Sequence, residues 1–289
     1  MTDAHDPSTP PESFVRAAAE MGVEFEPGDI ERLGAFLALL LDANTRTNLT
    51  AITDPAEAWH KHILDALTLL PMLAELPGGA LVLDVGSGGG VPAIPLAIVC
   101  PHLRFTLLEA TGKKADFLRR AISSLGLANA DVVQERAERA GQDRGQRAPD
   151  GGREGGMRER FDAVTARAVG RLAVVAELTA PFARTGGLVL LVKGQRADEE
   201  LAEGGAALRM LGADHAGTVD TPTGRIVVLE KVRSTPRDYP RREGEPKRAP
   251  LGLKLERRNR TGAGGRSAAS DGGDADADAG GGGRRGTEA

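Results

Sequence analysis

The fold is decided by residues 81–91, which read LVLDVGSGGGV. An apolar strand that carries one acid, Asp84, runs directly into a loop with glycines at 86, 88, 89 and 90, and a helical pattern begins near Ala93. Glycine lets the backbone approach a ligand closely, and a helix N-terminus presents unpaired N–H groups to it. The stretch therefore predicts a βα unit that binds a cofactor.

Downstream of this unit, short apolar runs alternate with helical patterns. The runs predict strands at 81–85, 105–108, 131–133, 161–165, 188–192, 215–219 and 226–229, with a helix over 113–125 among the connections. Strands that alternate with helices are typical of βαβ units, so we expect an α/β fold with a mostly parallel, doubly wound sheet over 80–232. The last two strands lack an intervening helix and are expected to form an antiparallel hairpin.

The residues before the sheet have a different pattern. From 13 to 76 the apolar residues recur at helical spacing, with one helix beginning near Asp29 and another over 56–73. We therefore expect a helical N-terminal unit, preceded by a disordered segment at 1–12.

Two further segments lack the apolar residues that a core needs. Residues 141–160 contain six glycines and many charges, and residues 257–289 contain no large apolar side chain. Such segments cannot offset their ordering entropy by burial, so we expect a flexible insertion and a disordered tail.

Basic charge is concentrated near one end of the chain. The net charge is -4, yet residues 236–260 carry nine Lys and Arg against four Asp and Glu. Prolines at 236, 240, 246 and 250 predict that this extension, 233–256, is an extended strip able to follow a phosphate backbone. Its candidate RNA contacts are Arg237, Arg241, Arg242, Lys247 and Arg248. Nine aromatic residues are too few for a base-stacking platform.

Composition excludes several other classes. The chain has 289 residues, 40% of them hydrophobic, and its longest apolar runs are far shorter than a membrane helix requires. A single cysteine, Cys100, cannot form an intrachain disulfide, and the N-terminus does not resemble a signal peptide. These features predict a soluble, cytoplasmic protein without a membrane partner.

The glycine spacing bears on the kind of cofactor. It is G-x-G-x-G, whereas the dinucleotide fingerprint G-x-G-x-x-G would place its third glycine at Val91. Asp84 would repel a pyrophosphate and attract the ammonium of S-adenosylmethionine. Glu109, which ends the next strand, can accept hydrogen bonds from both ribose hydroxyls. The alternatives are that the glycine loop is only a tight connection and that Glu109 is a solvated acid at a strand end. The occurrence of both features at this separation in the sequence disfavours these alternatives.

Other chemistry-bearing residues give weaker signals. His60 and His62 lie about 200° apart around a helix and cannot share a metal ion, so no metal is expected. Cys100-Pro101 resembles the cysteine–proline pair of cytosine-C5 methyltransferases but follows the helix after the glycine loop, where a buried thiol is the simpler interpretation. The Asn/Asp-Pro-Pro-aromatic sequence typical of amine methylation does not occur.

Eight motifs in this order resemble one family, the small-subunit ribosomal RNA guanine-N7 methyltransferases, also called the glucose-inhibited division protein B family. They are NLTAI at 48–52; HILD at 62–65; LDVGSG at 83–88 with IPLAI at 94–98; TLLE at 106–109 with KK at 113–114 and FL at 117–118; RAE at 136–138; FD at 161–162 with RAV at 167–169; GG at 186–187 with KG at 193–194; and YPR at 239–241 with KRAPL at 247–251.

The resemblance implies a class I S-adenosylmethionine-dependent methyltransferase: a Rossmann-like, seven-stranded, mostly parallel sheet with an N-terminal helical cap. It implies methylation of N7 of a guanine in the 530 loop of 16S rRNA, around position 527, in the small ribosomal subunit or an assembly intermediate. The cofactor contacts it implies, together with those from the glycine loop, are Asp84, Gly86, Gly88, Val91, Glu109, Ala137, Glu138 and Arg167. The chain departs from the family at Val91, Ala93 and Ala66 and in the insertion.

The implied chemistry needs no general base, because guanine N7 carries an in-plane lone pair. Arg167 is the candidate for positioning the guanine or the cofactor carboxylate, since its planar fork suits both. His62 and Asp65, one helical turn apart, either line the pocket or form a packed pair. Two rival functions stay open: a non-catalytic rRNA-binding assembly factor, which the intact loop and Glu109 disfavour, and a small-molecule methyltransferase, which the basic extension disfavours.

Overall fold

The computed structural model describes residues 6–147, 153–167 and 170–252. The predicted tail at 257–289 lies outside the described residues, as do the first five residues of the predicted disordered N-terminus. Within the described ranges, no helix is both long enough and apolar enough to cross a membrane.

A seven-stranded sheet forms the centre of the fold, in the order β3-β2-β1-β4-β5-β7-β6. The strands are β1 Leu81–Val85, β2 Arg104–Leu108, β3 Ala130–Val133, β4 Phe161–Arg167, β5 Ala183–Lys193, β6 Ala213–Thr221 and β7 Gly224–Lys231. β1 to β5 pair in parallel, and β7 runs antiparallel to both β5 and β6. The predicted mostly parallel sheet and its terminal hairpin are confirmed.

The helices cover both faces of this sheet. They are α1 Glu12–Glu20, α2 Asp29–Asn44, α3 (Pro55–Ala58, the π-helical turn Trp59–Leu64, and Asp65–Leu67), α4 Leu70–Leu73, α5 Ala93–Val99, α6 Gly112–Ser124, α7 Ala137–Ala140, α8 Leu172–Thr179, α9 Ala197–Leu211 and α10 Glu245–Arg248. The single helix predicted over 56–73 is interrupted, because Pro71 has no N–H to continue the hydrogen-bond ladder through Leu67.

Two apolar clusters fill the space between the layers. One joins the N-terminal helices to α5, α6 and one face of the sheet, and it includes Phe14, whose ring centroid lies 4.7 Å from that of Trp59. The other packs α8 and α9 on the opposite face around Phe182 and Leu208. Trp59 Nε1 donates to Pro7 O at 3.1 Å, so the described part of the predicted disordered N-terminus is packed onto α3.

The described ends of the insertion contact the extension, while residues 148–152 lie outside the described residues and the flexibility of the insertion stays a prediction. Residues 146–147 pair with 153–154, and the Arg158 guanidinium donates to four carbonyls, those of Gly141, Thr235, Pro236 and Tyr239, at 2.6 to 3.0 Å. The described ends of the insertion therefore hold the C-terminal extension. Residues 233–252 of that extension, the part that the structure describes, are not the predicted extended strip, because they consist of turns and the one-turn helix α10.

Candidate active site

The glycine loop leaves the carboxyl end of β1 in a conformation that suits glycine. Gly86 and Ser87 donate their N–H groups to Leu108 O at 2.8 and 3.2 Å. φ is +75° at Gly86 and +85° at Gly90, and a Cβ at Gly90 would come within 2.6 Å of Ile94 Cδ1. The loop is therefore tied to β2 on one side and packed against α5 on the other.

Asp84 is a buried carboxylate with an unsatisfied oxygen. Its side chain is opposite Thr165 of β4, whose hydroxyl donates to Oδ1 at 2.9 Å, while Oδ2 accepts no hydrogen bond from the described residues. Burial raises the pKa of Asp84 to about 6, against the opposing effects of Ser87, Thr165 and Arg167. An ionised, half-paired carboxylate in this position fits a cationic ligand group.

Glu109 links the glycine loop to the next turn. Its Oε2 accepts the Gly88 N–H at 2.9 Å and its Oε1 accepts the Thr111 N–H at 2.7 Å. The residue is 7% exposed, so these backbone bonds fix the carboxylate at the end of β2. Each carboxylate oxygen keeps a second lone pair that can accept a bond from a ligand hydroxyl.

A cavity of 270 Å³ opens beside Glu109. Four predicted cofactor residues line it together, namely Gly86, Glu109, Ala137 and Glu138. Apolar side chains of α8 form another wall, and Gly244, Pro246 and Lys247 of the extension close the outer side. We call this space the cofactor cavity. Val91 lies outside its lining, in the apolar cluster of the N-terminal helices.

Arg167 lies at the end of β4 and connects the sheet to the helical cap. Its Nη1 donates to Lys61 O at 2.7 Å and to Asp65 Oδ2 at 2.9 Å, and its Nη2 lies 3.3 Å from His62 Nδ1. Burial and the neighbouring Arg167 lower the pKa of His62 to about 4, so this imidazole is neutral at pH 7. His62 and Asp65 therefore both belong to a packed, hydrogen-bonded group and face an opening.

That opening is a second cleft of 650 Å³ between the cap and the carboxyl ends of β4 and β5. We call it the substrate cleft. Its polar lining includes Thr50, His62, Asp65, Arg167, Lys193 and Thr223. Thr223, in the turn between β6 and β7, donates to Asp65 Oδ1 at 2.5 Å, and no motif in the sequence indicated it. Lys193 belongs to the KG motif at 193–194, which by itself indicates no role for this side chain.

The cofactor cavity and the substrate cleft lie at the ends of neighbouring strands: Val85 of β1 lines the first and Arg167 of β4 lines the second. Thr165, which bonds Asp84, and Arg167, which lines the substrate cleft, are two residues apart on β4 and so project to the same face. The loop also touches the cap, since a Cβ at Gly89 would be 3.0 Å from Leu40 Cδ1.

The candidate RNA contacts divide into two kinds. Arg237, Arg242, Lys247 and Arg248 are exposed and form no ion pair with any described residue. Arg241 has its guanidinium engaged internally: Nε and Nη2 donate to the two oxygens of Glu177 at 2.8 and 2.6 Å.

The described ranges contain no group of three or more His, Cys, Asp or Glu side chains placed to hold a metal ion. His60 Nε2 instead lies 2.9 Å from Ser13 Oγ.

Comparisons with known proteins point to one family. A sequence model of the family described as rRNA small subunit methyltransferase G matches residues 29–225. A protein of Sorangium cellulosum (strain So ce56) named ribosomal RNA small subunit methyltransferase G is 52% identical over 236 residues, which cover 82% of this chain and 94% of that protein. A protein of the same name from Rubrobacter xylanophilus is 40% identical over 249 residues, 83% of this chain and 90% of that protein. Among solved structures, cofactor-bound Rv0187 from MTB is 21% identical with a TM-score of 0.48, covering 78% of this chain and 99% of that one.

Proposed function

Since the chain belongs to the rRNA small subunit methyltransferase G family, we propose that it transfers a methyl group from S-adenosylmethionine to N7 of a guanine in the 530 loop of 16S rRNA. The observation that carries the proposal is the placement of two residues, Thr165 and Arg167, on strand β4. On that strand, Thr165 bonds Asp84, the acid that precedes the glycine loop, and Arg167 lines the 650 Å³ substrate cleft.

The residues present fit the methyl donor. Glu109 is positioned to accept bonds from the ribose hydroxyls, and Ala137 and Glu138 would lie at the adenine. Asp84 does not line the cofactor cavity, but the negative charge of its unsatisfied carboxylate, directly before the glycine loop, would attract the ammonium group. When bound, S-adenosylmethionine supplies a methyl group activated by a sulfonium centre.

The substrate cleft suits a guanine that reacts at N7, because this atom carries no proton that must be removed before methylation. The N7 lone pair already lies in the plane of the guanine, so the protein has to orient the base and keep water away from it. Arg167 is held by Lys61 O and Asp65, so its guanidinium is fixed before a base arrives. His62 is neutral at pH 7 and adds no competing charge.

RNA docking is assigned to the exposed part of the extension. Arg237, Arg242, Lys247 and Arg248 form no ion pair within the part of the chain that the structure describes, and Lys247 also borders the cofactor cavity. Arg241 does not belong to this set because its guanidinium is paired with Glu177. The substrate is 16S rRNA in the small subunit or in an assembly intermediate, and the protein acts in the cytoplasm.

The decisive experiment maps the methyl group. Small subunits from cells that lack the gene are incubated with the protein and labelled S-adenosylmethionine, and 7-methylguanosine is located by chemical cleavage of 16S rRNA. We expect one labelled guanine, in the 530 loop. Label at another base or atom would overturn the proposal, and cofactor binding without RNA label would favour a non-catalytic assembly factor.

A matched pair of variants connects that reaction to the substrate cleft. Arg167→Lys removes the planar fork and should lower the rate roughly 10- to 100-fold, the size of effect that follows a small misplacement of reacting groups. Arg196→Lys changes an arginine whose side chain is 75% exposed and should leave the rate unchanged.

A further inference from the structure

The outer wall of the cofactor cavity comes from the C-terminal extension. Gly244, Pro246 and Lys247 line the cavity opposite Val174 and Leu178 of α8, and Pro246 is buried there. These residues follow the last strand and belong to no motif of the glycine loop. The position of this wall therefore depends on the contacts that hold residues 241–249 against α8.

Arg241 supplies the strongest of these attachments. Its Nε and Nη2 contact Glu177 Oε1 and Oε2 at 2.8 and 2.6 Å, and its backbone N–H donates to Oε1 at 2.9 Å. Nη2 also donates to Ala249 O at 2.8 Å. One side chain thus ties both ends of the segment, and the residues that line the cavity lie between the two ties.

The partner of Arg241 is a fully buried acid. Glu177 has 0% exposure, in the middle of the otherwise apolar helix α8. A carboxylate without water around it requires a cation, and the two-point contact with a guanidinium fixes the geometry as well as the charge. In the position it occupies, the extension satisfies both carboxylate oxygens of Glu177.

The other attachments are weaker. Arg136 contacts Glu243 at 3.1 Å and Arg139 contacts it at 3.4 Å, but the side chains are 41 to 67% exposed. Exposed pairs of this kind contribute little to stability. The Gly244 N–H donates to Glu138 Oε1 at 3.0 Å, which aligns the wall with α7 once the segment is in place.

We propose that Arg241 is a positioning residue for the methyl donor: by pairing with Glu177 it holds residues 244–247 as the outer wall of the cofactor cavity. It lines no part of the cavity itself, so it acts through Gly244 and Pro246. The inference rests on the cofactor site of the proposed function and is independent of which RNA base is methylated.

The test measures S-adenosylmethionine affinity by calorimetry in the absence of RNA. Arg241→Gln should raise the Kd about tenfold, because the apolar wall no longer closes over the ligand. Arg241→Lys should restore part of the affinity, since it keeps the charge but loses the fork. Arg32→Gln is the control: it breaks a 2.7 Å pair with the buried Asp29 on α2, and should change the Kd by less than about twofold.

A second variant separates positioning from folding. Arg241→Gln leaves Glu177 buried without a cation, so Glu177→Leu combined with Arg241→Met replaces both charges by apolar groups of similar volume, a change that folded proteins tolerate. This variant should show a raised KM for the cofactor, with kcat retained when both cofactor and rRNA are saturating, because the wall touches no reacting atom.

The outcomes are distinct. An unchanged cofactor Kd in the folded double variant, with or without a lower unfolding temperature, would leave Arg241 with a structural role only and overturn the inference. A raised Kd in a protein that methylates no rRNA would support the inference while refuting the proposed function.

Discussion

Replacing Glu109 by Ala tests the cofactor site most directly. The carboxylate accepts the N–H groups of Gly88 and Thr111, so the substitution removes the predicted ribose acceptor and the tie between the two loops together. We expect weaker cofactor binding and a less stable glycine loop in the same variant.

The magnitude follows from those two bonds. A hydrogen bond to a charged group contributes about 1.5 to 3 kcal/mol. Thr111 is exposed, so its freed N–H can be hydrated, whereas Gly88 is only partly accessible. The free energy of unfolding should therefore fall by roughly one such bond, ~1.5 to 3 kcal/mol. Loss of the ribose contacts should make the free energy of cofactor binding less favourable by a similar amount, which corresponds to an increase in Kd of about 10- to 150-fold.

Calorimetric titration with S-adenosylmethionine gives the Kd, and urea denaturation gives the stability. Asp116→Ala serves as the control because it removes an acid from the outer face of α6, where the side chain is 60% exposed and pairs with Arg119. A folded Glu109→Ala protein that binds the cofactor as tightly as the native protein would remove Glu109 from the site.

Four further outcomes are expected. The pKa of Asp84 is raised to about 6, so its protonated form stabilises the fold below about pH 4 and this contribution is lost as the pH rises through 6. Urea titrations of Asp84→Asn should not show this decrease in the free energy of unfolding. The pKa of His62 is lowered to about 4, so stability is lost as the pH falls from 6.5 through 4, and His62→Gln should reduce this acid sensitivity in the same titrations. Arg242→Gln with Arg248→Gln should reduce the salt slope of rRNA binding by about 0.7 for each phosphate contact removed, and an unchanged slope would move the docking surface elsewhere. Deletion of 261–289 should leave the unfolding temperature and rRNA methylation unchanged; a several-fold loss of methylation would show that the tail contacts the substrate.

Local patterns predicted the sheet well. β1 has the predicted bounds, and the other strands extend the predicted runs by a few residues at their ends. β5 begins five residues early, at Ala183, because residues 184–186 are exposed and residues 184–187 carry no apolar signal. The glycine loop and Glu109 were found for the same reason: a strand end followed by glycine or acid is visible within a few residues of sequence.

Contacts between distant segments were not predictable in this way. Arg158 binds carbonyls 77 to 81 residues away, and Arg241 binds an acid 64 residues away, so no local pattern pairs them. Residues 7 and 8 pack against Trp59 and Gly34 for a similar reason. One signal was present: Glu177 is the only charged residue in LAVVAELT, and a lone acid in an apolar helix indicates a buried charge that needs a partner.

Arg167 and Asp84 lie on neighbouring strands, β4 and β1, but form no hydrogen bond with each other. The positive charge of Arg167 favours the ionised form of Asp84, so the two groups attract each other. Here Asp65 of the cap takes the guanidinium at 2.9 Å, and Thr165 occupies only one oxygen of Asp84. If Arg167 bonded Asp84 directly, the ammonium of the cofactor would have to displace it. Under the proposed function, Asp65 of the cap would keep Arg167 in the substrate cleft and leave the negative charge of Asp84 available to the methyl donor.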